Sequence, residues 1–340
     1  MTNPRETPPP ITQSEDGGMQ VSLRTKYAQS VLRPSPFVGG IDQQLSDVYA
    51  HRFSVRRGQG YPIEDAVVLA LMDAGCDEMP TAEQLAAPLL VPTLIDEQSR
   101  SREFLCDRHR SAFAPLIHSR PGPYPIVSDL PMLRQLLDAG AAIIQLRVKT
   151  EPNSIETSPI VQESVRIAAD YPQSQLFIND HWKLAIDHGA YGVHLGQEDL
   201  LDADLRSIHA AGIRLGLSSH AYWEVARAMT IRPSYIACGP IFPTRAKAMP
   251  WVPQGIPNLQ FWSRLIPCPV IGIGGVTLDN LRDCWSTGCD AVSMIAAVTK
   301  APDPAIAMRD FKRAWERLES MENKEFRSEN LLEIAAPTLI

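Results

Sequence analysis

Gly192-Val-His-Leu-Gly-Gln-Glu-Asp199, Gly239-Pro-Ile-Phe-Pro-Thr-Arg-Ala-Lys247 and Ile271-Gly-Ile-Gly-Gly275 each carry a short apolar run into polar or glycine-rich sequence. An apolar run without alternation is what a parallel strand covered on both faces requires. Polar residues and glycines just past such strands are where barrel and doubly wound α/β enzymes build their sites. These stretches therefore predict an enzyme with a parallel sheet.

Outward from them the same texture continues. Strands are predicted at Tyr124 to Ser128, Ile143 to Lys149, Leu176 to Asp180, Gly192 to Gly196, Arg214 to His220, Tyr235 to Ile241, Pro269 to Gly275 and Ala291 to Val298. Helical periodicity fills the gaps, as in Pro131 to Ala139, Ile155 to Asp170, Leu200 to Ala211, Ala221 to Met229 and Leu278 to Ser286, with a closing helix over Pro304 to Leu318. Eight strands alternating with helices predict a (β/α)8 TIM barrel over 120–320, an open doubly wound sheet being the structural rival.

Residues 1–18, rich in Pro and Thr, are expected to lack order, and 321–340 read as a C-terminal tail. The intervening segment 19–119 is predicted to be mostly helical; Tyr61 to Gly75 has Pro62 near its start, acids in its first turn and a terminal glycine. Because every motif lies beyond Ser119, the barrel is expected to close its own core without this segment.

The 340 residues are 44% hydrophobic, enough for a substantial core, and carry a net charge of -7. That charge gives no global attraction to nucleic acid or anionic membrane. Without an apolar leader or a run long enough to span a bilayer, a cytoplasmic location is expected. The six cysteines form no Cys-x-x-Cys and have no paired histidine spacing, which argues against zinc, and disulfides are not expected.

The second strand, Ile144-Gln-Leu-Arg-Val-Lys149, puts Gln145, Arg147 and Lys149 on one parity. In a barrel, cations on the inward parity need an anionic ligand or a counter-charge. The next two strands end in Asn179-Asp180 and His194-Leu-Gly-Gln-Glu-Asp199. Carboxylates from neighbouring strand ends, Asp180 and Asp199, suit a magnesium ion that also meets substrate phosphate; helix N-capping is the alternative reading of both. His194 is expected to be a hydrogen-bonded core or wall residue rather than a ligand. The long loop after the sixth strand offers Thr244, Arg245 and Lys247 to phosphate oxygens, or is merely a solvated Pro-rich loop. Gly274-Gly275 and Val292-Ser293 stand where barrels hold a phosphate on backbone amides. Two anion sites in one mouth suit a diphosphate and a monophosphate.

These motifs in this order, with Gly216-Leu-Ser-Ser-His220 between them, resemble thiamine phosphate synthase from about Tyr124 to Phe311. The resemblance implies a transferase that joins 4-amino-2-methyl-5-hydroxymethylpyrimidine diphosphate to thiazole phosphate, releasing pyrophosphate. It implies magnesium on Asp180 and Asp199. It gives the pyrimidine diphosphate to Gln145, Arg147, Lys149, Asn179 and Lys247, with Ser218 assisting, and the thiazole phosphate to Thr244, Gly274, Gly275, Val292 and Ser293. Ser218, Lys247 and Arg147 are the expected catalytic residues, acting on a dissociative loss of pyrophosphate. Small-molecule substrates are the implied partners, and a homo-oligomer is compatible with the family.

The family's second loop threonine is here Ala246, with Arg245 beside it as a replacement donor. Residues 61–75 resemble the last helices of a hydroxymethylpyrimidine kinase, so 19–119 is read as a degenerate kinase remnant, far too short to be a kinase. Two alternatives stand: a thiazole tautomerase, against which Gln197-Glu-Asp199 argues, and a catalytically decayed relative.

Overall fold

The computed structural model describes residues 7–14, 19–25, 29–34, 43–74, 91–97, 99–107, 110–243 and 254–325. Before the barrel, four short runs pair as an antiparallel sheet: β1 (Ile11–Gln13), β2 (Met19–Arg24), β3 (Gln29–Arg33) and, after two helices, β4 (Thr93–Glu97), in that order. In β2, Val21 and Leu23 are fully buried between the polar Gln20, Ser22 and Arg24, the alternation of a half-covered sheet. The helices are α1 (Gln43–Gly58) and α2 (Ile63–Ala74), so the expected helical content of this segment is present, and the sheet is an addition to it. Part of 1–18, expected to lack order, is strand: Ile11 pairs with Val21 and Gln13 with Met19. Neither departure shows in a local window, because β3 gains its second partner only from the distant β4. Most of the expected C-terminal tail lies outside the described residues.

After the short helix α3 (Arg102–Cys106) the chain enters the barrel. Its strands are β5 (Gly122–Val127), β6 (Ile143–Leu146), β7 (Gln175–Asn179), β8 (Gly192–Leu195), β9 (Arg214–Ser219), β10 (Tyr235–Cys238), β11 (Val270–Ile273) and β12 (Ala291–Met294). All pair in parallel, and β12 closes onto β5 from Ala291↔Gly122 to Met294↔Pro125. Each strand has helix outside it: α4 (Leu130–Asp138), α5 (Ser158–Ala169), α6 (Trp182–Asp187), α7 (Leu205–Ala210), α8 (Tyr222–Ile231), α9 (Gly255–Leu265), α10 (Leu281–Ser286), α11 (Ala296–Thr299) and α12 (Pro304–Glu325). Asp129 starts α4 by accepting a hydrogen bond from Met132 N. The predicted strands run longer at their C-terminal ends than the observed ones. In β6 the ladder stops because its neighbour β5 ends at Val127, whose carbonyl takes the last bond, from Arg147 N at 2.7 Å. Arg147 and Lys149 therefore stand on the mouth rather than within the strand.

Inside the barrel, Tyr124, Ile143, Phe177, Tyr235, Ala237, Ile271 and Ala291 form their own apolar cluster, separate from the larger layer between sheet and helices. Leu116, on the segment leading into β5, joins that cluster and plugs the bottom. Gln175 Oε1 holds the plug by accepting from Ile117 N at 2.9 Å.

The N-terminal unit packs on the outside of α8. Trp223 N donates to Asp65 at 2.9 Å, Leu94 N donates to Thr230 Oγ1 at 3.0 Å, and the Tyr61 and Tyr222 rings meet edge-on at 5.9 Å. Tyr222, Trp223 and Arg227 are buried by this packing or beside it.

Candidate active site

Alternation along the strands sends Gln145, Asn179, His194, Ser218 and Ser293 to the barrel interior at its C-terminal end, one pleat above the apolar cluster. Three of these side chains, Gln145, His194 and Ser218, join the hydroxyls of Tyr124 and Tyr235 in one hydrogen-bonded row. Gln145 Nε2 donates to the Tyr124 hydroxyl at 3.1 Å, which lies 2.9 Å from the Tyr235 hydroxyl; that hydroxyl is 2.7 Å from His194 Nδ1, and His194 Nε2 is 2.8 Å from Ser218 Oγ. His194 is thus the hydrogen-bonded wall residue its mid-strand place suggests. Burial pushes its pKa down to about 3, with Arg147 and His220 adding to the effect, so the ring is neutral.

Asp180 stands beside Asp199. Burial, the Asp199 charge and a hydrogen bond between the two push Asp180 up to about 6, while Arg147 and Asn179 pull the other way. Neither carboxylate caps the helix that follows it. The N-cap of α6 is His181, without a side-chain bond, and one Asp199 oxygen turns back to accept Gly196 N at 3.0 Å. The capping alternative therefore fails for Asp180, which holds a positive φ of 63° that places it past the strand end. Two crowded carboxylates with a cation near them suit a hard divalent ion that shares its other ligands with phosphate and water. Arg147 is half-buried, and its guanidinium has no hydrogen-bond or ion-pair partner among the described residues. Lys149 is exposed at the rim.

On the opposite side, β11 ends in two left-handed glycines, Gly274 with φ 100° and Gly275 with φ 71°. A Cβ on Gly274 would stand 2.7 Å from Pro240 Cα, and one on Gly275 2.7 Å from Phe242 Cβ, so the turn exists only with glycine. Ser293 Oγ is buried here without a hydrogen-bond partner among the described residues. An orphaned hydroxyl beside a glycine turn is a place for a ligand oxygen. Val292 differs: its side chain is buried in the layer outside the sheet, leaving only its peptide to reach the mouth. Thr244, Arg245, Ala246 and Lys247 lie outside the described residues.

Tyr124 and Tyr235 are not singled out by the sequence, and Gln197 enters there only as part of the Gln197-Glu-Asp199 motif, without a role of its own. The tyrosines read as apolar strand residues; their inward parity was available, their mutual contact was not. Gln197 Nε2 donates to the Ser218 carbonyl at 2.7 Å, joining two motifs. His181 also went unnoticed; its Nδ1 accepts Asn153 N at 2.9 Å and clamps the loop after β6 to the end of β7.

A family model described as thiamine monophosphate synthase matches residues 124–298. A thiamine-phosphate synthase of Photorhabdus laumondii is 47% identical over 192 residues, covering 56% of this chain and 88% of that protein. One from Neisseria meningitidis is 43% identical over 196 residues, covering 57% of this chain and 94% of that protein. Among solved structures, thiamine phosphate pyrophosphorylase from Pyrococcus furiosus superposes with a TM-score of 0.53 at 26% identity, covering 60% of this chain and 99% of that one. No helix among the described residues is long and apolar enough to cross a membrane.

Proposed function

We propose the following chemistry from the premise that this chain belongs to the thiamine monophosphate synthase family and is a transferase that forms thiamine phosphate. The pyrimidine diphosphate enters the mouth with its diphosphate toward Arg147, Lys149 and Asn179, and its ring toward Gln145 and Ser218. Asp180 and Asp199 would hold magnesium there, and the chemistry that ion supplies when bound is neutralisation of the diphosphate charge. Arg147 adds a fixed cation where charge grows as pyrophosphate departs. Thiazole phosphate rests on the Gly274-Gly275 turn, the Val292 peptide and Ser293 Oγ, with Thr244 and Lys247 contributing from the loop. The reaction is a dissociative substitution: the carbon–oxygen bond to diphosphate breaks first, and the thiazole nitrogen then captures the pyrimidine cation.

The observation that carries this reading is the crowded pair Asp180 and Asp199 with the Arg147 charge acting on it. Neutral His194 supports it as well, since an imidazolium in the wall would repel a developing pyrimidine cation. The chemistry belongs to 120–320, located in the cytoplasm, and 19–119 adds no reacting group. Purified protein assayed with both substrates and magnesium should release pyrophosphate and thiamine phosphate in equal amounts, and Asp199→Asn should abolish both. Normal turnover by that variant would remove the carboxylate assignment; tautomerisation of the thiazole alone would replace the synthase reading.

A further inference from the structure

The N-terminal unit reaches the mouth of the barrel through a buried polar chain. At the end of β4, Glu97 is buried, and its Oε1 lies 2.7 Å from Arg227 Nε on α8, an ion pair held by charge rather than by a directed N–H bond among the described residues. Arg227, itself buried, donates through Nη1 to the Gln197 carbonyl at 2.8 Å and to Gln197 Oε1 at 3.0 Å. Gln197 Nε2 then donates to the Ser218 carbonyl at 2.7 Å. The place of that last bond matters. Strands β8 and β9 stop pairing at Leu195↔Leu217, so the Gln197 side chain continues the ladder where the backbone no longer does. On either side of Gln197 the chain carries Asp199, through the turn closed on Gly196 N, and across from it stands Ser218.

A buried Arg without its carboxylate is costly, and its geometry is dictated by whatever neutralises it. Glu97 fixes Arg227, Arg227 orients the Gln197 amide, and the amide sets the spacing between the Asp199 turn and Ser218. We infer that Glu97 is a positioning residue for the reaction, and that the N-terminal unit braces the catalytic mouth in cis through Glu97, Arg227 and Gln197. This rests on the reading of Asp199 and Ser218 as site residues. Small displacements of such groups carry large rate penalties, because fixed geometry is the main thing the barrel supplies to a dissociative reaction.

The test uses the full chain. Glu97→Gln removes the charge and keeps the shape; kcat should fall about tenfold with KM for thiazole phosphate changed less than about twofold. Amide exchange over 196–203 should quicken in this variant while β10 to β12 exchange as before. Glu97→Leu/Arg227→Leu removes both buried charges and so should stay folded with a near-native Tm, yet show the same loss of kcat. In a Gln197→Ala background, Glu97→Gln should cost no further activity, since the chain is already cut. Native kcat and native exchange in both Glu97 variants, with only Tm lowered, would make the contact a structural anchor and overturn the inference. If instead Asp199→Asn is fully active, it is the reading of the mouth that fails, a result the Glu97 variants cannot produce.

Discussion

Gly216 leaves the space that the Tyr235 ring fills: a Cβ on Gly216 would stand 2.1 Å from Tyr235 Cζ. Tyr235 in turn carries the hydroxyl that holds His194, so a glycine on one strand fixes a polar row on its neighbours. Gly216→Ala should cost about 1–3 kcal/mol by overpacking, read as a lower midpoint in denaturant. Combined with Tyr235→Leu, the loss should be smaller than the sum of the two single losses. Strict additivity would mean the ring moves freely away.

Asp180 sits at positive φ, where Asn is tolerated and Ala is strained. Asp180→Asn should therefore abolish synthesis and yet raise Tm at pH 7.5 in the absence of magnesium, by about 2–4 °C for each kcal/mol of repulsion removed. Asp180→Ala should also be inactive but less stable than the Asn variant. The sign follows from a carboxyl whose folded pKa is raised to about 6, first by burial and then by the Asp199 charge: the cost of ionising it is absent at low pH and grows as pH rises toward 6. An Asn variant less stable than the parent at every pH would contradict it.

For His194 the sign is opposite. With its folded pKa lowered to about 3 from 6.5, the unfolded chain takes up the proton first, so stability is complete above about 6.5 and is lost as pH falls toward 3. The stability difference between wild type and His194→Gln should shrink in that window by up to about 1.4 kcal/mol per pH unit. Turnover by the variant at pH 7.5 should drop at least about tenfold, because Ser218 Oγ loses its orienting partner. A pH-independent difference in denaturation midpoints would show that the ring titrates alike in the folded and unfolded chain and contradict the lowered value.

Asp65, buried between the N-terminal unit and α8, is pushed up to about 7, chiefly by burial, with Glu224 and Glu64 adding to it. Asp65→Asn keeps an acceptor for Trp223 N and removes the charge. Folded wild type takes up a proton there between about pH 4 and 7, so its docking weakens as pH rises through that range. The variant's gain in stability should therefore be larger at pH 8 than at pH 5 by about 1–3 kcal/mol, measured by thermal melts at both values. Equal gains at the two pH values would place the ionisation elsewhere.

Sequence alone determined the barrel and most of its mouth. Fully covered strands leave unbroken apolar runs, and parallel strands with helices between them close in few ways, so order and spacing were enough to put Gln145, Asn179, Asp180, His194, Asp199, Ser218 and Ser293 at one end. Parity along a strand is a local property, and it is carried by every residue. What only the tertiary structure decided depends on pairs distant in the chain. The sheet before the barrel needs β4 to complete it, Tyr235 needs the gap at Gly216, and neither requirement is written in any short window. The link between the N-terminal unit and the barrel depends on the same kind of pair. Arg227 reads as one more charge on an amphipathic helix until Glu97 is folded against it, and burial then turns a surface cation into a link between two units.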